Sequence, residues 1–281
     1  MVQALLQRSV SFVPWRWRGT IQRLPLVAPL QRWLLARFLE GREFIHTVDA
    51  GPGRGLRIPI CLPEDKDIWT GTDELVLSTA LRRVIREGDV CADIGGWHGF
   101  FAGVMALAGA RKVYLFEPWP DNCSRIRRLV ELNPSLHMQL FQAAVADKSG
   151  DAEFCLTQSS DTGKLATLSL PQHLKAGRRI QVRVHTLDEL VAAGVIEAPD
   201  VIKLDVEGAE LLVLKGASTL LAQSKLRLFI EIHSRSLARE CYELLRSHGY
   251  EVCVLETNRP PDFSTEPEIC HFSALAGKAT T

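Results

Sequence analysis

The chain has 281 residues, of which 46% are hydrophobic and 23% are charged, a balance typical of globular proteins and not of disordered or fibrous ones. Its 33 Lys and Arg residues equal its 33 Asp and Glu residues, so the basic excess expected of a nucleic-acid-binding protein is absent. No stretch reaches the roughly 18 consecutive apolar residues of a membrane-spanning helix, and the seven cysteines show no C-x-x-C spacing. We therefore expect a cytoplasmic protein with one large domain and an appendage.

The first 39 residues are basic, because they contain six arginines and neither lysine nor acid. Within them, Leu30, Trp33, Leu34 and Phe38 recur at helical spacing, which predicts an amphipathic helix in an N-terminal extension over residues 1–43. Two roles are open for this extension. Either it docks on the inner face of a membrane or on a partner enzyme, or its apolar side packs on the rest of the chain while the arginines face water. The sequence gives no indication of the oligomeric state.

Two short elements precede an α/β pattern. Residues 44–62 alternate apolar stretches around glycines, as expected of a β-hairpin, and residues 74–86 have helical periodicity, so we assign residues 44–88 to a lead-in segment. Over residues 89–281, strand, glycine turn and helix alternate, which predicts parallel strands with crossover helices.

The predicted elements of this last segment follow directly from the pattern. Strands are predicted at residues 90–94, 112–116, 138–144, 180–185, 201–204 and 226–232, and helices at residues 100–108, 121–132, 209–223 and 237–248. The polar stretch 147–177 lacks helical periodicity and is interpreted as an insertion near the functional site. Residues 249–255 and 271–276 are predicted to form a terminal antiparallel pair.

A ligand-binding turn is indicated by the run V-C-A-D-I-G-G-W-H-G-F, which starts at residue 90. A buried strand brings Asp93 to its end and turns through Gly95, Gly96 and Gly99 into a helix, so the backbone can approach a ligand closely. The nicotinamide fingerprint G-x-G-x-x-G fails here, because Trp and Phe stand where its second and third glycines belong. The acid is placed to meet a cationic amino-acid tail instead of a pyrophosphate.

A second acid follows the next predicted strand. The sequence V-Y-L-F-E-P brings Glu117 to the strand end, about twenty residues after the glycines. A carboxylate in this position can accept hydrogen bonds from both hydroxyls of a ribose. Together the two acids indicate an adenosyl ligand.

A third motif, V-I-K-L-D-V-E-G-A-E over residues 201–210, delivers Asp205 and Glu207 to the same edge of the sheet. On these three motifs the chain resembles the FkbM family of S-adenosylmethionine-dependent methyltransferases, which share D-V-G-A-N-x-G, a strand ending in F-E-P, and K-I-D-V-E-G-A-E. The resemblance runs from about residue 55 to about residue 254. One departure is that Gly96 and Trp97 replace the family's Ala-Asn pair, which leaves open how closely the cofactor is held and whether Trp97 partly closes the pocket.

The resemblance implies a fold, a cofactor and an activity. The implied fold is an α/β, Rossmann-like class I methyltransferase sheet of seven strands, the last antiparallel, preceded by the helical N-terminal extension and the β-hairpin. The implied cofactor is S-adenosyl-L-methionine, and the implied reaction is methyl transfer to a hydroxyl of a sugar-like, glycan or other small-molecule acceptor. The residues expected to bind the cofactor at its methionine, ribose and adenine parts are Asp93, Gly95, Gly96, Gly99, Glu117, Gln142 and Ala143.

An alcohol is a poor nucleophile at neutral pH, so a positioned base should take its proton. The candidates are Asp205, His233, Glu207 and His98, and Asp205 comes first because an acid at the end of a buried strand has no evident structural use. His233 can equally be a hydrogen-bonded structural histidine, and Glu207 can simply stabilise the start of a helix. Glu74 is either a ligand of the methionine end or part of a solvated helix start.

Two other classes of function compete with this interpretation. A non-catalytic module could keep the methyltransferase fold while binding a cofactor, a membrane or a partner. A nicotinamide oxidoreductase is disfavoured by the missing glycines. No His, Cys, Asp or Glu spacing in the sequence suggests a metal site, so we expect none.

Overall fold

The computed structural model describes residues 43–157, 163–165, 176–223, 225–264 and 270–276. The predicted helix of the N-terminal extension lies outside the described residues, so both its membrane docking and its packing stay predictions. Within the described ranges no helix is long and apolar enough to cross a membrane.

The described elements alternate between strands and helices along most of the chain. The strands are β1 (Glu43–Thr47), β2 (Arg57–Cys61), β3 (Val90–Ile94), β4 (Lys112–Phe116), β5 (Met138–Phe141), β6 (Ala144–Val145), β7 (Gly150–Thr157), β8 (Gly163–Leu165), β9 (Ala176–His185), β10 (Val201–Leu204), β11 (Arg227–Ile232), β12 (Tyr250–Val254) and β13 (Cys270–Ala276). The helices are α1 (Lys66–Thr70), α2 (Leu75–Val84), α3 (Phe100–Leu107), α4 (Pro120–Leu132), α5 (Leu187–Ala192), α6 (Glu210–Lys215), α7 (Ser218–Ala222) and α8 (Arg235–Ser247).

A seven-stranded sheet in the order β12-β13-β11-β10-β3-β4-β5 forms the centre of this part of the chain. The strands from β11 to β5 are parallel, while β13 is antiparallel to both of its neighbours. This topology confirms the predicted fold class, including the antiparallel last strand. It also brings the carboxyl ends of β3, β4 and β10 to one edge, where open α/β sheets bind their ligands.

Strand β3 is buried along its whole length, because helices cover both faces of the sheet. Ala92 and Ile94 pack into a core cluster with Leu187 of α5 and Leu214 of α6. Cys91 points to the opposite face and joins a second cluster with the hairpin and α3. The strand ends that carry the predicted site are therefore held by rigid packing from two sides.

The hairpin is confirmed, since β1 pairs antiparallel with β2 from Glu43 opposite Cys61 to Thr47 opposite Arg57. Its residues belong to the main core and not to a separate unit. Leu56 is fully buried, and a Cβ added to Gly103 of α3 would lie only 2.5 Å from the Leu56 side chain. A glycine at this point of the helix is what lets the hairpin lie so close.

Two predicted elements are each divided in two. The strand predicted at residues 138–144 breaks after Phe141, because the chain leaves the main sheet there and β6 pairs with β9 in another sheet. The helix predicted at residues 209–223 is interrupted at Gly216. A Cβ at that position would lie 2.1 Å from the backbone oxygen of Ala146, so the close approach of these two segments requires glycine and ends the first helix.

A second sheet in the order β6-β9-β7-β8 contains the described part of the predicted polar insertion. Strand β7 pairs antiparallel with both β8 and β9, so this stretch adopts strand structure although its residues show no clear periodicity. Phe154 of β7 packs with Trp119, Ala144 and Val182 in a small third cluster. The second sheet thereby forms one wall beside the strand ends.

Candidate active site

An open cleft with about 700 Å³ of empty space lies at the carboxyl ends of β3, β4 and β10. Its lining includes residues from each of these strand ends and from the second sheet. Among them are Gly95, Trp97, Glu117, Ala143, Phe154 and Asp205. The cleft therefore has the location predicted from the sequence, at the edge where the parallel strands end.

The glycine turn after β3 is shaped by the neighbouring strand β10. Gly95 has a φ of +83°, and a Cβ on it would lie 1.6 Å from the backbone oxygen of Asp205. The Gly95 and Gly96 amides donate to the oxygen of Phe116 at 3.0 and 3.1 Å, so these two amides already have partners. Gly95 lines the cleft, whereas Gly96 and Gly99 lie behind it and serve the turn and the start of α3.

Glu117 lies at the end of β4 and is the best-defined polar group of the cleft. The residue is only 5% exposed, and its carboxylate accepts hydrogen bonds from the backbone amides of Trp97 and Trp119, each at 2.9 Å. Burial raises its pKa to about 7, although these hydrogen bonds and one from Asn122 act in the opposite direction. These contacts fix the side chain in one orientation, and Glu117 lines the cleft.

Trp97 and His98 follow the glycines, but only Trp97 lines the cleft. Trp97 has a φ of +46° and lines the cleft. His98 is 2% exposed, its ring contacts that of Trp97 in a tilted arrangement with centroids 3.6 Å apart, and its Nε2 lies 3.5 Å from Asp65. Burial and the charges of Arg125 and Lys203 hold the pKa of His98 well below its usual range. His98 therefore lies outside the cleft as a neutral buried group.

Lys203 links the ends of β3 and β10. Its ammonium nitrogen is 3.7 Å from the carboxylate of Asp93, near the end of β3, and 3.2 Å from that of Asp205, the residue after β10. Burial raises the pKa of Asp93 to about 6, while Lys203 lowers it. Asp93 is 1% exposed and does not line the cleft, so its carboxylate faces Lys203, and its predicted contact with a cationic tail stays a prediction.

His233 follows β11 and lies among four carboxylates. Its Nδ1 is 2.8 Å from Oε1 of the fully buried Glu210, and its Nε2 is 3.6 Å from Asp205, 3.5 Å from Glu207 and 3.9 Å from Glu231. Burial lowers the pKa of His233, but the Glu210 hydrogen bond and the surrounding carboxylates outweigh it and raise the pKa to about 9. The structure thus brings the predicted Asp205, Glu207 and His233 together.

A second cavity next to this group is lined by Asp73, Glu74, Glu256 and His271. Nδ1 of His271 is 2.6 Å from Glu256, and its Nε2 is 3.5 Å from Glu74 and 3.7 Å from Glu231. Burial raises the pKa of Asp73 to about 8. Glu74 therefore belongs to this second cavity and not to the lining of the first cleft.

The two residues predicted near an adenine ring separate in the structure. Ala143 is buried and lines the cleft. Gln142 is exposed outside it, and its side-chain oxygen accepts a hydrogen bond from Arg127 at 2.6 Å. Ala143 thus belongs to the cleft and Gln142 does not, and the contacts of both with adenine stay predictions.

Several residues of the site were missed by the sequence reasoning. Glu231 and His271 lie near the ends of β11 and β13, which were predicted from their apolar residues alone. Phe154 lies in the polar stretch that was interpreted as an insertion. A signal existed for Lys203, because a lysine inside the apolar run V-I-K-L can be buried only with a charged partner.

The α/β segment matches a known protein family. A family model described as "Methyltransferase FkbM domain" covers residues 89–252, which is more than half of the chain. Among curated proteins, the chain is 28% identical to hexuronic acid methyltransferase AglP of Haloferax volcanii, over 70% of this chain and 80% of that protein. It is 26% identical to the 2-O-methyltransferase NoeI of Sinorhizobium fredii, over 50% of this chain and 59% of that protein.

The solved structures that the chain matches include a methyltransferase FkbM from Methylobacillus flagellatus KT, which is 15% identical with a TM-score of 0.46 over 90% of this chain and 60% of that one. Another is Aeropyrum pernix fibrillarin, at 16% identity and a TM-score of 0.41 over 71% of this chain and 74% of that one. The assignment depends on the family model, whose match begins at the first residue of the predicted α/β segment. The chain belongs to the FkbM family of methyltransferases.

Proposed function

We propose that this chain binds S-adenosylmethionine in the cleft and transfers its methyl group to a hydroxyl of a sugar-like acceptor. The observation that carries the proposal is the geometry of Glu117. Each carboxylate oxygen has two lone pairs, and one backbone amide occupies one of them on each oxygen. Asn122 also donates a hydrogen bond to this carboxylate, so one of the two remaining lone pairs is free for a ribose hydroxyl, and the other fits the vicinal hydroxyl when that hydroxyl replaces the Asn122 bond. The residues present therefore suit an adenosyl ligand.

The rest of the cleft suits the other parts of such a ligand. Phe116, Ala143, Val145 and Phe154 give the lining apolar surface, which a flat base can cover. Trp97 lies at the turn and lines the cleft on the side of the glycines. We assign the adenine to the apolar residues and the methionine end to the turn beside Gly95.

A sugar-like acceptor is supported by the relatives named above. One acts as a hexuronic acid methyltransferase, and the other is a 2-O-methyltransferase. In this chain the cavity lined by Glu74, Glu256 and His271 adjoins the carboxylates at the ends of β10 and β11. Polar groups of this kind can hold the several hydroxyls of a sugar, and we assign the acceptor to this side.

When bound, the cofactor supplies a methyl group on a positively charged sulfur. The residues of the chain must then align the acceptor oxygen with that methyl group and remove the hydroxyl proton. Asp205 and Glu207 both line the cleft at the end of β10, and we assign the proton to one of these carboxylates. Lys203 holds one oxygen of Asp205 at 3.2 Å and leaves the other facing His233.

Two measurements test the proposal. Calorimetry with S-adenosylmethionine and S-adenosylhomocysteine on the purified full chain should show binding at a single site. Transfer of a radiolabelled methyl group to a panel of glycans, including hexuronic acids, should give an O-methylated sugar identified by NMR. A folded protein that binds neither cofactor form would refute the proposal, and cofactor binding without methylation of any glycan in the panel would refute the sugar-like acceptor.

A further inference from the structure

Three side chains at the ends of β10 and β11 converge on one point. Leu204 and Ile230 are register partners, so the residues that follow them, Asp205 and Glu231, lie side by side on adjacent parallel strands. Together with His233 they offer ligand atoms that all lie within 4.8 Å of one another. The distances from Nε2 of His233 are 3.6 Å to Asp205 and 3.9 Å to Glu231. These distances are too long for hydrogen bonds but short enough for one ion to contact all three atoms after small side-chain rotations.

Each of the three side chains has a second polar contact, which fixes its orientation. Nδ1 of His233 bonds to the fully buried Glu210 at 2.8 Å, which leaves Nε2 of a side chain only 8% exposed aimed at the two carboxylates. The second oxygen of Asp205 is 3.2 Å from Lys203, and the second oxygen of Glu231 is 3.7 Å from His271. A histidine that holds a metal commonly gives its other ring nitrogen to a carboxylate, as His233 does here.

The charges around this point also favour a cation. In the described part of the chain, the carboxylates that face the group outnumber the cationic side chains, even when both histidines are counted as charged. The carboxylates are Glu74, Asp93, Asp205, Glu207, Glu210, Glu231 and Glu256, and the cationic groups are Lys203, His233 and His271. Partly buried excess negative charge is costly, and a bound divalent ion would offset it.

We propose that Asp205, Glu231 and His233 bind one divalent metal ion of the Mn²⁺ class. Two carboxylates favour a hard ion, and one imidazole favours a transition metal over Ca²⁺. The sequence showed no metal-ligand spacing because the ligands come from two strands that become neighbours only in the sheet.

The catalytic use of this ion rests on the proposed function. Asp205 lines the cleft, so an ion beside it can bind the acceptor oxygen and lower the pKa of its hydroxyl. The hydroxyl proton then passes to the Glu207 carboxylate, the oxygen forms a bond to the methyl carbon, and the carbon–sulfur bond breaks with its electron pair on sulfur. The sulfur leaves as a neutral thioether, and the acceptor leaves as a methyl ether.

Mn²⁺ binding tests the site without cofactor or acceptor. The full chain is freed of metal with a chelator and titrated with Mn²⁺ while electron paramagnetic resonance follows the free ion. The wild type should bind a single Mn²⁺, and pulsed spectra should show coupling to ¹⁴N that disappears in His233→Gln. Glu231→Gln removes a ligand and should weaken binding at least about tenfold. Glu210→Gln changes the group behind His233, which is also the acceptor of the Gly208 amide, and should weaken Mn²⁺ binding by about 10- to 100-fold.

Glu251→Gln is the matched control, because Glu251 is an exposed carboxylate on β12, the edge strand of the same sheet, and its loss changes the net charge equally. It should leave Mn²⁺ affinity unchanged. Circular dichroism and thermal melting of each variant show whether it is folded, and Mn²⁺ should raise the melting temperature of the wild type but not of Glu231→Gln.

Equal Mn²⁺ affinity in the wild type and in folded Glu231→Gln, or bound Mn²⁺ without ¹⁴N coupling, would overturn the metal site. Cofactor calorimetry on the metal-free protein separates the two proposals. Failure of Mn²⁺ binding with intact cofactor binding removes the metal site alone. Failure of cofactor binding with intact Mn²⁺ binding removes the proposed function and leaves the metal site.

Discussion

Replacing Glu117 by glutamine is the sharpest single test of the cofactor cleft. The variant keeps the size of the side chain but turns one acceptor oxygen into an NH₂ group, which has only donors. The two backbone amides of Trp97 and Trp119 both need acceptors from this side chain. Only one of them keeps an acceptor in the variant, and one ribose hydroxyl loses its acceptor.

The size of the effect follows from the hydrogen bonds lost. A hydrogen bond to a charged group contributes about 1.5 to 3 kcal/mol. The loss of one such bond to ribose therefore corresponds to about 10- to 150-fold weaker cofactor binding, because each 1.4 kcal/mol is about tenfold. Glu131→Gln is the matched control, since Glu131 is exposed on α4 and does not line the cleft.

The pH dependence gives an independent measurement on the same residue. The pKa of Glu117 is raised from 4.5 to about 7, so between these values the unfolded state is ionised while the folded state holds the proton. The unfolded state then binds fewer protons, and stability falls as pH rises from about 4.5 to about 7 and is level above it. The change is of the order of 3 kcal/mol at most. In the same range cofactor affinity should rise, because the carboxylate is the form that accepts both hydroxyls.

Urea unfolding and calorimetry at several pH values, on the wild type and Glu117→Gln, measure both trends. The difference in unfolding free energy between the two proteins should change with pH between about 4.5 and 7 and stay constant above. Cofactor affinity of the variant that equals the wild type at pH 8 would refute the assignment of ribose to Glu117. A pH-independent stability difference would refute the raised pKa.

Three other predictions concern the strand ends and the extension. Asp205→Asn should lower turnover by roughly 10² or more while its melting temperature stays close to that of the wild type, and normal methylation by this variant would exclude Asp205 from catalysis. Gly95→Ala should destabilise the fold by at least about 3 kcal/mol in urea unfolding, because its Cβ would clash with Asp205, whereas Gly194→Ala, with a similar φ of +66° and open space, should cost about 1 kcal/mol. Deletion of residues 1–40 should abolish co-sedimentation with anionic vesicles and keep cofactor affinity if the extension docks on membranes, whereas aggregation or early melting of the deleted protein would favour packing on the core.

The parallel sheet could be predicted from sequence because its strands are apolar on both faces and are separated by helical periods. The same local pattern does not contain the information that divides an element. The strand after residue 138 breaks because its second half pairs with β9, and the helix after Glu210 breaks because Gly216 contacts Ala146. Both causes are contacts between residues distant in sequence.

The site shows the same division between local and distant information. Glu117, Asp205 and Glu207 were predicted because each follows an apolar strand in a continuous motif, and all three line the cleft. Glu231 and His271 were missed because they approach the site through pairing of β11 with β13, where residue 231 lies opposite residue 271. Such an antiparallel pair is fixed by the sheet and leaves no spacing signal in the chain.

The pairing of β3 with β10 explains why the glycine motif and the acidic motif occur together. Gly95 touches the backbone of Asp205, and Lys203 contacts the carboxylates of both strand ends. The turn that borders the cleft and the carboxylate proposed to act on the acceptor are therefore held in one rigid unit. Any side chain at position 95 would push the backbone of Asp205 away. The position of the Asp205 carboxylate therefore depends on glycine at the end of the neighbouring strand β3. A shift of about 1 Å in a reacting group can cost about 100-fold in rate, which makes this contact between two backbones a requirement of the proposed chemistry as well as of the fold.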